Sequence, residues 1–134
     1  MSLTRKFLAG ACLAAMAAVS TADAQQYSPE VTRCMNDPKK FTPDEMIDTC
    51  YALVKSGQWS GKDSAWLYNN IGKGYFLKED YDRAVTNYDR ALKLDPSDAY
   101  AYCGRGITKN KITAGTGDAD IARARQLNSN LCNN

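Results

Sequence analysis

The chain has 134 residues, no histidine, and 17 Lys plus Arg against 15 Asp plus Glu, a net charge of +2 with 24% of residues charged. That balance suits one soluble domain and names no class of partner. The lack of histidine removes Ser-His and Cys-His nucleophile pairs and His-based metal centres, and the alternation of basic with acidic residues gives no concentrated basic face for nucleic acid.

Arg5 and Lys6 precede an apolar run from Phe7 to Val19, and Ala22-Asp23-Ala24 supplies small residues for a cleavage site. This is the pattern of a secretory signal peptide over residues 1–24. The run is shorter than the roughly 20 residues that cross a bilayer, so no stable membrane span is expected after cleavage. A lipid anchor at Cys12 is disfavoured, because "LAGAC" has no large aliphatic residue three before the cysteine.

Removal of the leader leaves Cys34, Cys50, Cys103 and Cys132. An even number in an exported chain reads as disulfides, with three pairings open. Four buried thiols are the alternative, and a zinc site lacks both histidine and the usual ligand spacing.

Residues 25–29 read as a flexible leader, and 30–35 as one short helix carrying Cys34. In "TPDEMIDTCYALVKSG", residues 42–57, Thr42 is a cap with Glu45 three residues on. Met46, Ile47, Cys50, Tyr51 and Leu53 or Val54 then form a helical stripe that Gly57 closes. Residues 57–63, "GQWSGKD", connect it to the next helical segment.

Leu67, Tyr68, Ile71, Gly72 and Tyr75 recur at helical spacing and predict a helix over about 65–77, with Asp63 and Ser64 as cap candidates. Tyr81, Ala84, Val85, Tyr88, Ala91 and Leu92 predict a second over about 81–94, capped by Asp80 and stopped before Pro96. Glu79/Arg83 and Asp89/Lys93 are candidate i,i+4 pairs on its solvated side. Gly72 and Ala84 are where the two backbones can approach, so the pair should close as a hairpin.

Tyr68, Ile71-Gly72, Tyr75, Ala84, Tyr88, Ala91 and Pro96 resemble the signature of the tetratricopeptide repeat, whose period is about 34 residues. The resemblance covers residues 65–98 without a gap. It implies an all-α fold in which antiparallel helical hairpins stack as a short solenoid. Glu79 stands in the turn where that family commonly has glycine, so the turn must either accept a positive φ there or bend differently.

Residues 99–131 begin as a second copy, with Ser97-Asp98 as a cap and Tyr102 and Gly106 in matching places. The copy then degrades, with Lys109 in a tyrosine place and Ser129 in the proline place. A helix over about 118–128 keeps Ile121, Ala124 and Leu127 on its inner face. Residues 30–57 form a partial first unit, so the domain over 30–134 has one good repeat between degenerate ends. In a helical hairpin the start of the first helix lies near the end of the second, which pairs Cys103 with Cys132 and leaves Cys34 with Cys50. Each link would tie down an end that stacking buries on one side only.

"GKG" at 72–74, "GRG" at 104–106 and "GTG" at 115–117 do not sit between a strand and a helix as a phosphate loop would. Asp44/Glu45 and Asp80/Asp82 fall at helix starts, where the dipole accounts for them. No catalytic residue, cofactor or metal is expected, and a carboxylate-based hydrolase is the disfavoured enzyme reading.

Binding has a better case. The first helix of the good repeat turns Trp66, Asn69, Asn70, Lys73, Phe76 and Leu77 away from the second, and in the family that face lines a concave groove. Trp66 and Phe76 offer flat apolar area, Asn70 can bond peptide main chain, and Lys73 can meet a carboxylate. Alternatively, Trp66, Phe76 and Leu77 pack on neighbouring repeats. The second copy matches these with Cys103, Gly104, Ile107, Asn110 and Lys111, of which Lys111 is the further cation. The expectation is a periplasmic or secreted interaction module, an adaptor or scaffold for a protein or peptide. The alternative is a self-assembling unit whose end repeats stack into a homo-oligomer.

Overall fold

The computed structural model describes residues 28–35 and 40–133; the expected signal peptide and residues 25–27 of the expected leader lie outside the described residues. Within them the regular structure is helical: α1 (Pro29–Met35), α2 (Pro43–Ser56), a 3-10 turn (Gly61–Ser64), α3 (Ala65–Leu77), α4 (Tyr81–Leu94), α5 (Ala99–Ile112) and α6 (Asp118–Leu127). The fold is the expected stack of helical hairpins. Each helix packs on the next in sequence, and α3 also touches α1 and α5, so the odd-numbered helices lie side by side.

Ser28 and Pro29 of the expected leader take part in the start of α1. Pro29 opens α1, and the Val31 amide donates to Ser28 Oγ at 3.2 Å. Proline suits a first helical turn because its missing N–H has no partner to lose there.

Thr42 starts α2 with a reciprocal capping box: its hydroxyl accepts from the Glu45 amide at 3.2 Å, and the Glu45 carboxylate accepts from the Thr42 amide at 2.8 Å. Gly57 ends the helix in the left-handed region at φ 69°. The buried stripe of Met46, Ile47, Cys50 and Leu53 joins Val31, Cys34, Leu67 and Ile71 in one apolar cluster. The sulfurs of Cys34 and Cys50 lie at disulfide distance, with the Cα atoms 4.9 Å apart.

The start of α3 departs from expectation. Neither Asp63 nor Ser64 caps it through a side chain: the 3-10 turn runs straight into the helix, and Ser64 is itself helical at φ −94°, ψ −5°. An N-cap needs an extended backbone to aim its oxygen at the following amides. The Ser64 hydroxyl instead donates to the Gly61 carbonyl at 2.7 Å.

α3 ends in a Schellman turn, with the Asp80 amide on the Tyr75 carbonyl at 3.0 Å and the Glu79 amide on the Phe76 carbonyl at 2.9 Å. That motif requires a left-handed residue, and Glu79 takes the position at φ 61°. Asp80 then caps α4 by accepting from the Arg83 amide at 3.2 Å. The two expected i,i+4 pairs are replaced by other contacts. Arg83 reaches Asp80 at 3.3 Å and lies over the Tyr75 ring, while Asp89 accepts from Arg105 of α5 at 2.6 Å.

The glycines of α3 and α5 face helices on two sides. A Cβ on Gly72 would come within 2.9 Å of the Tyr88 ring of α4, and one on Gly74 within 2.6 Å of Ile47 of α2. Gly72 therefore makes room for a tyrosine ring rather than for a backbone crossing. Gly104 repeats the arrangement on the other side of Tyr88, at 2.5 Å. The true backbone crossing joins α5 to the start of α6: a Cβ on Gly117 would sit 1.8 Å from the Gly106 carbonyl oxygen.

On α6 the buried positions are Asp120 and Ala124, with Ile121 half-buried. Leu127, expected on the inner face, is the last helical residue and stays 37% exposed. The sulfurs of Cys103 and Cys132 lie at disulfide distance, fastening the segment after α6 back to α5.

Candidate functional site

On α3, residues Trp66, Asn69, Asn70, Lys73 and Phe76 are half-buried and Leu77 is exposed, as is Lys111 on α5. Several have intramolecular uses. Trp66 packs on the first apolar cluster and meets Trp59 edge-to-face, with ring centroids 5.4 Å apart. The Asn70 side-chain amide donates to the Trp66 carbonyl at 2.9 Å, a bond back to its own helix. Phe76 packs against the cluster around Tyr88 and lies 5.7 Å from the Tyr81 ring at the start of α4.

A different group converges on the N-terminal end of α3. Here a cleft of about 630 Å³ opens between α1, the connection before α3, and the turn joining α4 to α5. Val31 and Met35 contribute from α1, Trp59, Lys62 and Asp63 from the connection, Trp66 from α3, and Asp95 and Asp98 from the turn. Of the expected groove residues, Trp66 alone lines it.

The carboxylates of this cleft are held by their own backbone. Asp95 accepts from the Ser97 hydroxyl at 2.6 Å and the Ser97 amide at 3.0 Å. The Ser97 hydroxyl bond is foremost in keeping that carboxyl below its usual range, with Lys62 adding to the effect. Asp98 caps α5 by accepting from the Ala101 amide at 3.0 Å, and burial pushes its carboxyl up. The Lys62 ammonium sits 3.5 Å from Asp95, on a side chain 67% exposed against 18% for its partner. In the sequence, residues 57–63 look like a connection and Ser97-Asp98 like a cap, because they converge only after four helices have packed.

A second polar cluster joins α4, α5 and α6. Arg105 grips Asp120 with two hydrogen bonds, 2.8 and 2.6 Å, and donates a third to Asp89 at 2.6 Å. Lys109 adds a bond to Asp120 at 2.9 Å. Lys109, a departure from the repeat pattern, thus has a partner that sequence reading did not single out. Among the described residues no cluster of three or more His, Cys, Asp or Glu could hold a metal ion.

Hairpins stacked in chain order, with their first helices in mutual contact, define a helical-repeat protein. Residues 72–111 match the family model described as "TPR repeat". The match begins inside α3 and ends inside α5, so it spans the junction between two hairpins. Neither the curated proteins nor the solved structures contain a match to this chain. Repeats of this family support protein–protein interaction in general, and among the described residues no helix is long and apolar enough to cross a membrane.

Proposed function

We propose that the protein is an exported interaction module, an adaptor or scaffold that holds a protein or peptide against the face built by α1, α3 and α5. The observation that carries this reading is the side-by-side contact of those three helices, which turns single helix faces into one continuous surface. Trp66, Asn69 and Lys73 lie along its middle helix, an aromatic, an amide and a cation at offsets of one helix face. Export is supported by the two cysteine pairs, since disulfides persist in oxidising compartments. Residues 1–24 supply the corresponding leader in the sequence.

The test is affinity capture from native extract with the disulfide-intact protein beside its Lys73→Glu variant. A foreign protein retained by the first and lost by a folded second is the expected result. Equal retention by both would remove the α3 face from the reading. Protein recovered outside the cytoplasm is expected to begin at Gln25 by intact mass.

A second reading has one observation of its own. Tyr100, Ile107, Ile112 and Leu127 are exposed large apolar residues gathered on α5 and α6, where a further hairpin would stack. Self-association through that end predicts a mass that rises with concentration and falls back in Ile107→Asp.

A further inference from the structure

We propose that the cleft at the N-terminal end of α3 binds a lysine or arginine side chain of a partner polypeptide, with Trp59 and Trp66 as walls and Asp63, Asp95 and Asp98 as counter-charges. This rests on the interaction-module reading and names the chemistry of its partner. It sets the principal charged contact away from Lys73, on residues that lie apart in the sequence.

Both tryptophans of the chain line this cleft, set at 89° to one another. Tryptophan presents the best ring face for a cation, and the attraction strengthens as water is excluded. Elsewhere the molecule covers ring faces with its own cations: Arg33 and Lys40 over Phe41, Arg90 over Tyr68, Arg83 over Tyr75, and Arg105 over Tyr102. Among the described residues neither tryptophan carries one.

Charge points the same way. The lining holds Asp63, Asp95 and Asp98 against a single cation, Lys62. Ser97 fixes Asp95 and the Ala101 amide fixes Asp98, so neither carboxylate has to be ordered by an arriving ligand. Burial leaves Asp98 poorly solvated as an anion, which a neighbouring cation relieves.

Lys62 shows that an ammonium can reach Asp95, yet most of its own side chain remains in water. An exposed ion pair of this kind is weak, so an incoming cation can displace it. Met35, 56% exposed at the edge of the cleft, offers apolar contact to the aliphatic stem of a long basic side chain. The volume lies within the range of ligand pockets and exceeds one side chain, which suits a basic residue within a peptide segment. An acidic segment would meet carboxylates on a surface poor in cations.

The two tryptophans also make the test specific, because tryptophan fluorescence, excited beyond the tyrosine absorption, reports on this cleft. The disulfide-intact protein is titrated with acetylated, amidated tetralysine, and with tetraglutamate and tetraserine of the same form. A saturable change with tetralysine, and none with the other two, is expected. Asp95→Asn with Asp63→Asn should weaken binding about tenfold, the effect of losing interactions worth about 1.4 kcal/mol. Lys62→Gln should strengthen it about threefold, because it removes the competing ammonium. Asp48→Asn, an exposed carboxylate on α2 outside the cleft, should leave it unchanged.

No response to tetralysine, an equal response to tetraglutamate, or undiminished binding by the folded double variant would overturn the proposal. The broader reading fails separately. A captured partner that is lost with Lys73→Glu while tetralysine does not bind removes the cleft and keeps the module. Tetralysine binding that survives Lys73→Glu, with no protein partner captured, keeps the cleft and removes the module.

Discussion

The α3–α4 and α5–α6 hairpins are neighbours in the same stack, yet they close by different physics. In α3–α4 a tyrosine does the work: Tyr88 is buried on Gly72, with Ala84, Ala91 and Leu92 around it, and burial pushes its phenol pKa up. In α5–α6 the buried positions are small or polar, among them Ala101, Gly106, Thr108, Gly117, Asp120 and Ala124. The two elements meet backbone to backbone at Gly106 and Gly117 and are clamped by Arg105 on Asp120. Burial opposes the Asp120 carboxylate, but the hydrogen bonds from Arg105 and Lys109 outweigh it and hold the carboxyl below its usual range. Among the described residues α6 packs chiefly on α5. Close approach, ion pairing and a covalent link there replace the apolar volume that the α3–α4 hairpin buries.

The strongest way to break this contrast is to remove the link. Cys103→Ser with Cys132→Ser should cost about 3 to 4 kcal/mol for a loop of this size, with hydrogen exchange rising first in α5 and α6. Gly117→Ala comes next, at about 3 kcal/mol, because its Cβ would meet a backbone oxygen that cannot move aside. Gly72→Ala should cost about half as much, since its 2.9 Å approach is to a side-chain ring rather than to backbone. Urea unfolding of the two alanine variants compares the two closures directly.

Asp120→Asn should cost about 2 kcal/mol, a value reduced from that of a fully buried pair because Lys109 and Asp89 remain partly in water. The pH dependence has a definite sign. Since the folded state lowers the Asp120 pKa, its contribution is complete above the unfolded value of about 4 and disappears as pH falls through the folded value. The gap between wild type and variant should therefore narrow from pH 7 to about pH 3. A gap that stays constant would mean that the charge of Asp120 is irrelevant.

These sites also mark how far the sequence can be read. Helices α2, α3 and α4 follow from apolar spacing, and the Thr42, Glu45 and Asp80 caps follow from side chains placed at helix starts. Those features are local, so a few residues determine them. The glycine pairs of α3 and α5 were legible as helical, but not as contacts to two different helices, because the opposing Ile47, Tyr88 and Gly117 lie far away in sequence. The same limit hid the partnership of Lys109 with Asp120. The cleft is the extreme case, since Met35, Trp59 and Asp95 belong to separate segments and no spacing connects them.

The smallest effect concerns the turns. Both hairpins place a residue in the left-handed region, Gly115 at φ 82° before α6 and Glu79 at φ 61° before α4. A side chain in that conformation costs about 1–2 kcal/mol, whereas a glycine adds about 0.4–1 kcal/mol of freedom to the unfolded chain. The difference favours glycine, so Glu79→Gly should stabilise the protein by about 0.5 kcal/mol, raising Tm by about 2–4 °C for a domain of this size. Glu79→Ala is the control, because it keeps the Cβ and therefore the strain. If alanine gained as much as glycine, the burden would lie in the glutamate side chain rather than in the backbone, and the two turns would differ for a reason other than conformation.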